Sequence, residues 1–249
     1  MSCSKPVWVP VQANPDTSHT ALHWLDHAIE QSDILADVIP IHMLSYGGFI
    51  AVTLFGNRES TKDIDVLLPP NVRDSRVHRD ELTRLVRSVA GELSYMDDWI
   101  NDDLRLFVPT DQRQRLLEDS IEQGTVAFEG NNLVIWAGLW EFGLESKIHR
   151  LHYNQSQSLE AQAKIRNDVS DAVDLVHRIM GNSVHPLDKA WVNGLGRFGS
   201  NPSFENAIDK VAQAYITRYG TQGLVELVWD EARGQNMYRN LAGKWVLYK

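Results

Sequence analysis

Cysteine is nearly missing from the chain. Cys3 is the single one among 249 residues, which excludes an internal disulfide, and no Cys/His grouping has the spacing of zinc ligands. Positive charge is scarce too: 24 Lys and Arg stand against 33 Asp and Glu, for a formal net charge of -9. A broad hold on a polyanion needs clustered cations that displace counterions, so this balance argues against an extended nucleic-acid partner while leaving room for a local basic pocket. No run approaches the roughly 20 apolar residues that span a bilayer. The opening MSCSKPVWVPVQANPD has neither a basic segment leading into an apolar run nor an amphipathic Arg-rich face. The expectation is a soluble, cytoplasmic protein that engages no membrane. Repeats and low-complexity tracts are lacking as well.

What is present suffices for a core: 43% of the residues are hydrophobic and 23% charged, the range of ordinary folded proteins. The pattern divides the chain into an amino-terminal arm over 1–20, an α/β core over 21–138 and a helical region over 139–249. The arm, rich in Pro and small polar residues, reads as irregular, with Trp8 available to pack on the body. Leu22, Leu25, Ile29, Ile34 and Leu35 recur at helical spacing between Ala21 and Val38, before Pro40. A strand over Ile41–Tyr46, a turn at Gly47 and Gly48, and a short buried helix in FIAVTLF follow. After the polar loop NRESTK comes a strand over Asp63–Leu68, stopped by Pro69 and Pro70. An amphipathic helix is expected over Val72–Leu93 with Val77, Leu82, Leu85, Val86 and Val89 on one face. The segment YMDDWINDDLRLFVP reads as a loop and a short helix. Thr125–Glu129 and Leu133–Ala137 form a hairpin through GNN. Beyond it, Leu139–Tyr153, Ala161–Met180, Leu187–Gly196, Phe204–Tyr219 and Gly223–Ala232 read as helices.

One order of parts carries chemistry: strand, Gly-Gly, helix, polar loop with an arginine, then Asp-Ile-Asp on a strand. Strand alternation puts Asp63 and Asp65 on one face and turns Ile64 into the core. Two carboxylates so placed can share a divalent cation, because Mg2+ takes a few carboxylate oxygens together with phosphate oxygens and waters. Gly47 and Gly48 let the backbone approach a phosphate, and the start of the next helix adds N–H groups and a favourable dipole. Arg58 and Lys62 could balance charge. Taken alone, an Asp-x-Asp is common on solvated strand ends, and a bare Gly-Gly says less; their joint order is the informative feature.

The stretch YGGFIAVTLFGNRESTKDIDVLL resembles the signature of the DNA polymerase beta-like nucleotidyltransferase superfamily, in particular its AbiEii-like toxin and related uncharacterised branch. That branch shows Gly-Gly, a short helix, Gly-x-Arg-x-Thr and Asp-hydrophobic-Asp. These fall on Gly47 and Gly48, Gly56, Arg58 and Thr61 with altered spacing, then Asp63 and Asp65. DDWINDDLRLFVP is similar to an Asp-Trp-Leu-Asn-Asp element of some members, and ESKIHRLHY with KIRNDVSDAVDL to the later helices that line the nucleotide site. The resemblance spans roughly 35–180.

It implies an α+β fold, a nucleotidyltransferase-type mixed sheet flanked by helices with a helical carboxy-terminal part. It implies Asp63 and Asp65 as ligands of Mg2+ (or Mn2+) and as catalytic residues, with Lys147 as a phosphate or transition-state cation. Gly47, Gly48, Arg58, Thr61, Lys164 and Asp168 would contact the nucleotide. The implied reaction moves an NMP from an NTP to an acceptor that the residues do not name. A third carboxylate usual in the superfamily has no single counterpart among Asp98, Asp102, Glu129 and Glu145. The second reading is therefore a module that keeps the fold and binds or regulates without turnover, and a protein partner fits either reading. For the lysines the bland alternative is an exposed helical side chain, and for Trp99 and Ile100 it is the anchoring of their own segment.

Overall fold

Asn14 begins the first helix by accepting the N–H of Thr17 at 2.9 Å, while the Thr17 hydroxyl accepts the N–H of Asn14 at 3.0 Å. With Pro15 in the first turn, this reciprocal cap starts α1 at Pro15–Glu30. The small polar residues expected to be irregular thus form the helix start, six residues before Ala21. Helix α1 also ends earlier than Val38, since residues 33–38 are turns. The computed structural model describes residues 14–154, 156, 158–183, 185–195 and 203–248; the arm with Cys3 and Trp8 lies outside them.

Two compact units divide at Leu139 and Trp140. In the first, β1 (Ile41–Ser45) leads into α2 (Gly48–Ile50), which continues as a π-helical turn over Ala51–Phe55 and closes on Gly56 at φ 62°. Then come β2 (Ile64–Leu67), α3 (Pro70–Arg73), α4 (Arg76–Leu93), β3 (Ile100–Asn101), α5 (Arg113–Gln123), β4 (Val126–Glu129) and β5 (Leu133–Ala137). The five strands form one mixed sheet in the order β3-β2-β1-β5-β4. β1 runs antiparallel to β2 and parallel to β5; β2 runs parallel to β3, and β4 antiparallel to β5. Helix α1 packs on α4 and β5, and α5 on β1 and β5. The fold class is α+β, a mixed sheet flanked by helices. Ile41, Met43 and Leu44 on β1 are fully buried, as a strand covered on both faces requires.

The expected Val72–Leu93 helix is two helices, because the Ser75 hydroxyl caps α4 anew at the N–H of His78. Val77 in that first turn is exposed, whereas Leu82, Leu85, Val86 and Val89 are buried.

In the second unit, α6 (Trp140–Tyr153), α7 (Leu159–Met180) and α9 (Glu205–Tyr219) pack on one another. Between them β6 (Leu187–Asp188) precedes α8 (Lys189–Asn193), and β6 pairs in parallel with β7 (Leu224–Val225). The unit ends in a three-stranded antiparallel sheet of β8 (Val228–Asp230), β9 (Gln235–Arg239) and β10 (Trp245–Leu247). The helix expected over Gly223–Ala232 is thus β7 and β8. Its short apolar run satisfies either period, and the turn through Gly234 at φ 62° lets it pair with β9 instead.

A single carboxylate fixes the hairpin of the first sheet. Asp26 on α1 is 9% exposed and accepts the N–H groups of Asn132 and Leu133 at 2.7 and 2.8 Å and of Asn131 at 3.3 Å. Asp26→Ala would orphan these three donors in a closed site. Chemical denaturation should show a loss on the order of 3 kcal/mol, with Asp26→Asn less damaging because one carbonyl oxygen can still accept.

Candidate functional site

Gly47 sits at φ 74° and ψ -130°, a backbone region that essentially only glycine occupies. This bend turns the chain out of β1, and the N–H of Ala51 closes it by donating to the Gly47 carbonyl at 3.0 Å. The antiparallel register Leu44↔Leu67 and Ser45↔Val66 brings the start of β2 beside the bend, and the Ser45 hydroxyl ties the two strands by donating to the Asp65 carbonyl at 2.8 Å. In consequence a Cβ on Gly47 would lie 3.8 Å from Oδ2 of Asp65.

Gly48 is equally committed. The space a side chain would need there is filled by the Thr61 hydroxyl, and Nη1 of Arg58 lies 3.9 Å from the same point. The Thr61 hydroxyl also donates to the Asp63 carbonyl at 3.1 Å, fixing the polar loop to the strand it feeds. Gly47, Gly48, Arg58, Thr61 and Asp65 therefore converge on one corner of the sheet. Asp63 lies just ahead of β2 and of the fully buried Ile64, with Asp98, Lys62 and Asp103 as the charges about its carboxyl.

Asp63 and Asp65 are both half-buried. Burial pushes the Asp63 carboxyl above the usual carboxylate range; the nearby Asp98 adds to this, Lys62 opposes it, and Asp103 adds a further push. A divalent ion placed there would oppose the effect of the two neighbouring acids. The donor set of Asp63 and Asp65 is all hard oxygen, which suits Mg2+ or Mn2+. Among the described residues, no three His, Cys, Asp or Glu side chains form a ready metal-holding group.

The neighbouring strand is what sequence reasoning missed. β3 lies parallel to β2 with Asn101 paired to Asp65, so the place beside Asp65 is held by an amide. The side-chain Oδ1 of Asn101 accepts the N–H of Asp103 at 3.1 Å. β3 spans two residues, too short to show a period. Its anchor is Trp99, 1% exposed, whose indole donates to the Val86 carbonyl at 3.0 Å and whose own carbonyl accepts the N–H of Ile64 at 2.7 Å. Asp102 instead accepts the Leu68 N–H at 3.2 Å, and Glu129 lies on β4, at the opposite edge of the sheet from β3.

Lys147, Lys164 and Asp168 belong to the helical unit. Lys147 is buried between α6 and α7, with its ammonium 3.1 Å from Oδ1 of Asp168 and 2.7 Å from Oδ2 of Asp171. Arg150 grips the same Asp168 with two donors, at 2.6 and 3.1 Å. Lys147 and Asp168 thus meet in one balanced ionic network, the kind whose members stabilise only while all are present. Lys164 is exposed and pairs with Glu160 at 2.8 Å. With Asp168 it lines a cleft of about 510 Å³ that His149, Arg150, Tyr153 and Asn154 complete.

The crowding at Asp63 has a direct consequence for stability. Its folded-state pKa lies above the unfolded value, so ionisation opposes folding and wild-type stability falls as pH rises through that folded value. Asp63→Asn should therefore raise the Tm of metal-free protein at pH 7, and calorimetry at decreasing pH should show the gain vanish below the ordinary carboxylate range.

No family model, curated protein or solved structure matches the chain, so the functional reading stands on these residues.

Proposed function

We propose that the chain is a nucleotidyltransferase that moves an NMP from an NTP to an acceptor, using Mg2+ or Mn2+ held by Asp63 and Asp65. The observation that carries this reading is the seating of the Asp65 carboxylate against the Gly47 bend, 3.8 Å from where a Cβ would be. A triphosphate laid on that bend would meet backbone rather than side chain, with both acids at its edge. The motif order shared with the DNA polymerase beta-like superfamily points the same way.

In this reaction an acceptor oxygen attacks the α-phosphorus, the bond from that phosphorus to the bridging oxygen of the β-phosphate breaks, and pyrophosphate leaves. The acceptor's proton passes to water or to the Asp65 carboxylate. When bound, the metal supplies neutralisation of the triphosphate charge. The residues position: the Gly47 backbone gives the outer phosphates close contact, Gly48 makes room for the Thr61 hydroxyl that holds the loop in register with Asp63, and Arg58 sets a guanidinium beside the bend. Catalysis of this kind is mostly orientation and electrostatics. The family resemblance also implies nucleotide roles for Lys147, Lys164 and Asp168; within the helical unit Lys147 and Asp168 are committed to their own ion network, and Lys164 and Asp168 line the cleft there.

Asn101 supports a second reading, a module that binds an NTP without turning it over, because an amide beside Asp65 takes no proton and carries no charge for a cation. In both readings no helix among the described residues is long and apolar enough to cross a membrane.

Pyrophosphate release from ATP, GTP, CTP and UTP with Mg2+ tests the two together. The enzyme reading expects release that Asp63→Asn and Asp65→Asn each lower on the order of 100-fold or more. Tight NTP binding with no release, converted to release by Asn101→Asp, would establish the module. Binding indifferent to both aspartates would contradict the site itself.

A further inference from the structure

Between the end of β1 and the glycine bend stands Tyr46, whose ring occupies a place that another glycine leaves open. A Cβ built on Gly138, the residue that follows β5, would fall among Cζ, Cε1 and Cε2 of Tyr46, a position the ring atoms already fill. Gly138 is not among the glycines at positive φ, so no left-handed backbone demands glycine there; the close approach of the ring does. Packing for buried area alone gives no reason for this fit, since Tyr46 remains half-buried.

The floor beneath the ring is fixed. The Gly138 N–H donates to the Ser45 carbonyl at 2.9 Å, one step beyond the parallel pairing of Ser45 with Ala137. On the other side the Gln123 amide of α5 reaches the carbonyls of Ala137 and Gly138 at 3.4 Å, and the Leu139 N–H donates to the Ser120 hydroxyl at 2.9 Å. The bend is the reverse case. Glycine has the most backbone freedom to lose, so nothing in Gly47 itself selects φ 74° and ψ -130°. Beyond Gly47, the Ala51 N–H closes on its carbonyl at 3.0 Å. Before it, the peptide that enters the bend belongs to Tyr46, and the Tyr46 ring is seated on the fixed floor.

We propose that Tyr46 is a positioning residue: its ring, seated on Gly138, fixes the peptide entering Gly47 and so holds the bend in the shape that receives the outer phosphates. The identity of the ligand rests on the nucleotidyltransferase reading, whereas the ring lock does not. A bend ordered by its neighbour's ring keeps the bare backbone that a phosphate can approach, and it is already formed when the ligand arrives. Those phosphates are held alike before and during transfer, so loss of the lock falls on binding more than on the chemical step.

The test is amide hydrogen exchange of the full chain by NMR, paired with steady-state pyrophosphate release. The Ala51 N–H reports the bend, and the Ala137 N–H, which donates to the Thr125 carbonyl at 2.9 Å, reports β5. Gly138→Ala and Tyr46→Ala should each lower protection at Ala51 about tenfold and leave Ala137 protected. Tyr46→Phe should keep Ala51 protected, because the ring remains. Tyr46→Leu combined with Gly138→Ala should recover what Gly138→Ala loses, since leucine lacks the atoms that the new methyl group meets. With Mg2+ and NTP, Gly138→Ala should raise KM about tenfold and change kcat less. Protection at Ala51 indifferent to both single alanine variants would overturn the proposal. So would loss at Ala137 together with Ala51, which marks ordinary packing, a double variant no better than Gly138→Ala, or an active enzyme whose KM Gly138→Ala leaves unchanged. A wild-type chain that releases no pyrophosphate from any NTP, with exchange as expected, would count against the nucleotidyltransferase reading and leave the ring lock standing.

Discussion

The antiparallel pairing of β1 with β2 is the constraint on which the candidate site depends. It matters because it joins the end of one strand to the beginning of the other at a fixed height. Gly47 then has to leave β1 through a backbone conformation closed to side chains, and the Asp65 carboxylate arrives against the bare backbone that results. A one-residue slip of β2 would turn Asp63 and Asp65 into the core and present Ile64 to solvent. Full burial of Ile64 and the Ser45 hydroxyl on the Asp65 carbonyl hold the register against that slip.

The cost of this arrangement falls on Asp63. Its carboxyl is held partly out of water beside Asp98 and Asp103, a local conflict that folding alone would not select. Such conflicts between stability and local charge gather where a ligand is meant to relieve them. Asn101 bears on the same balance: an acid there would add like charge next to Asp65, and the amide avoids it. The Lys147 network in the helical unit shows the opposite solution, in which each buried charge already faces its complement.

The sheet-forming apolar runs were legible in the sequence because their periods and their turn residues agreed: Ile41–Ser45, Ile64–Leu67 and the GNN hairpin emerge near their predicted bounds. The long helices α6, α7 and α9 were legible for the same reason. The glycine pair, Arg58, Thr61 and Asp65 could be linked because all lie within one short connection, so their convergence needs only local geometry. Three things were not legible. The start of α1 depends on a side-chain cap between Asn14 and Thr17, which composition disguises as loop. β3 contributes two residues to the sheet and is placed by the burial of Trp99, a tertiary fact. The sheet of β8, β9 and β10 is specified by pairing across turns at Gly234 and Gly243, where an apolar run read by itself fits a helix equally well.

The central claim is that Asp63 and Asp65 form one cation site at the glycine bend. Titration of Mn2+ followed by electron paramagnetic resonance, in the presence of a non-hydrolysable NTP analogue, measures this without requiring turnover. The account predicts loss of the free-ion signal that saturates, is displaced by Mg2+, and disappears in both Asp63→Asn and Asp65→Asn. Mn2+ binding of undiminished strength in the two variants, or none in the wild-type chain, would contradict it.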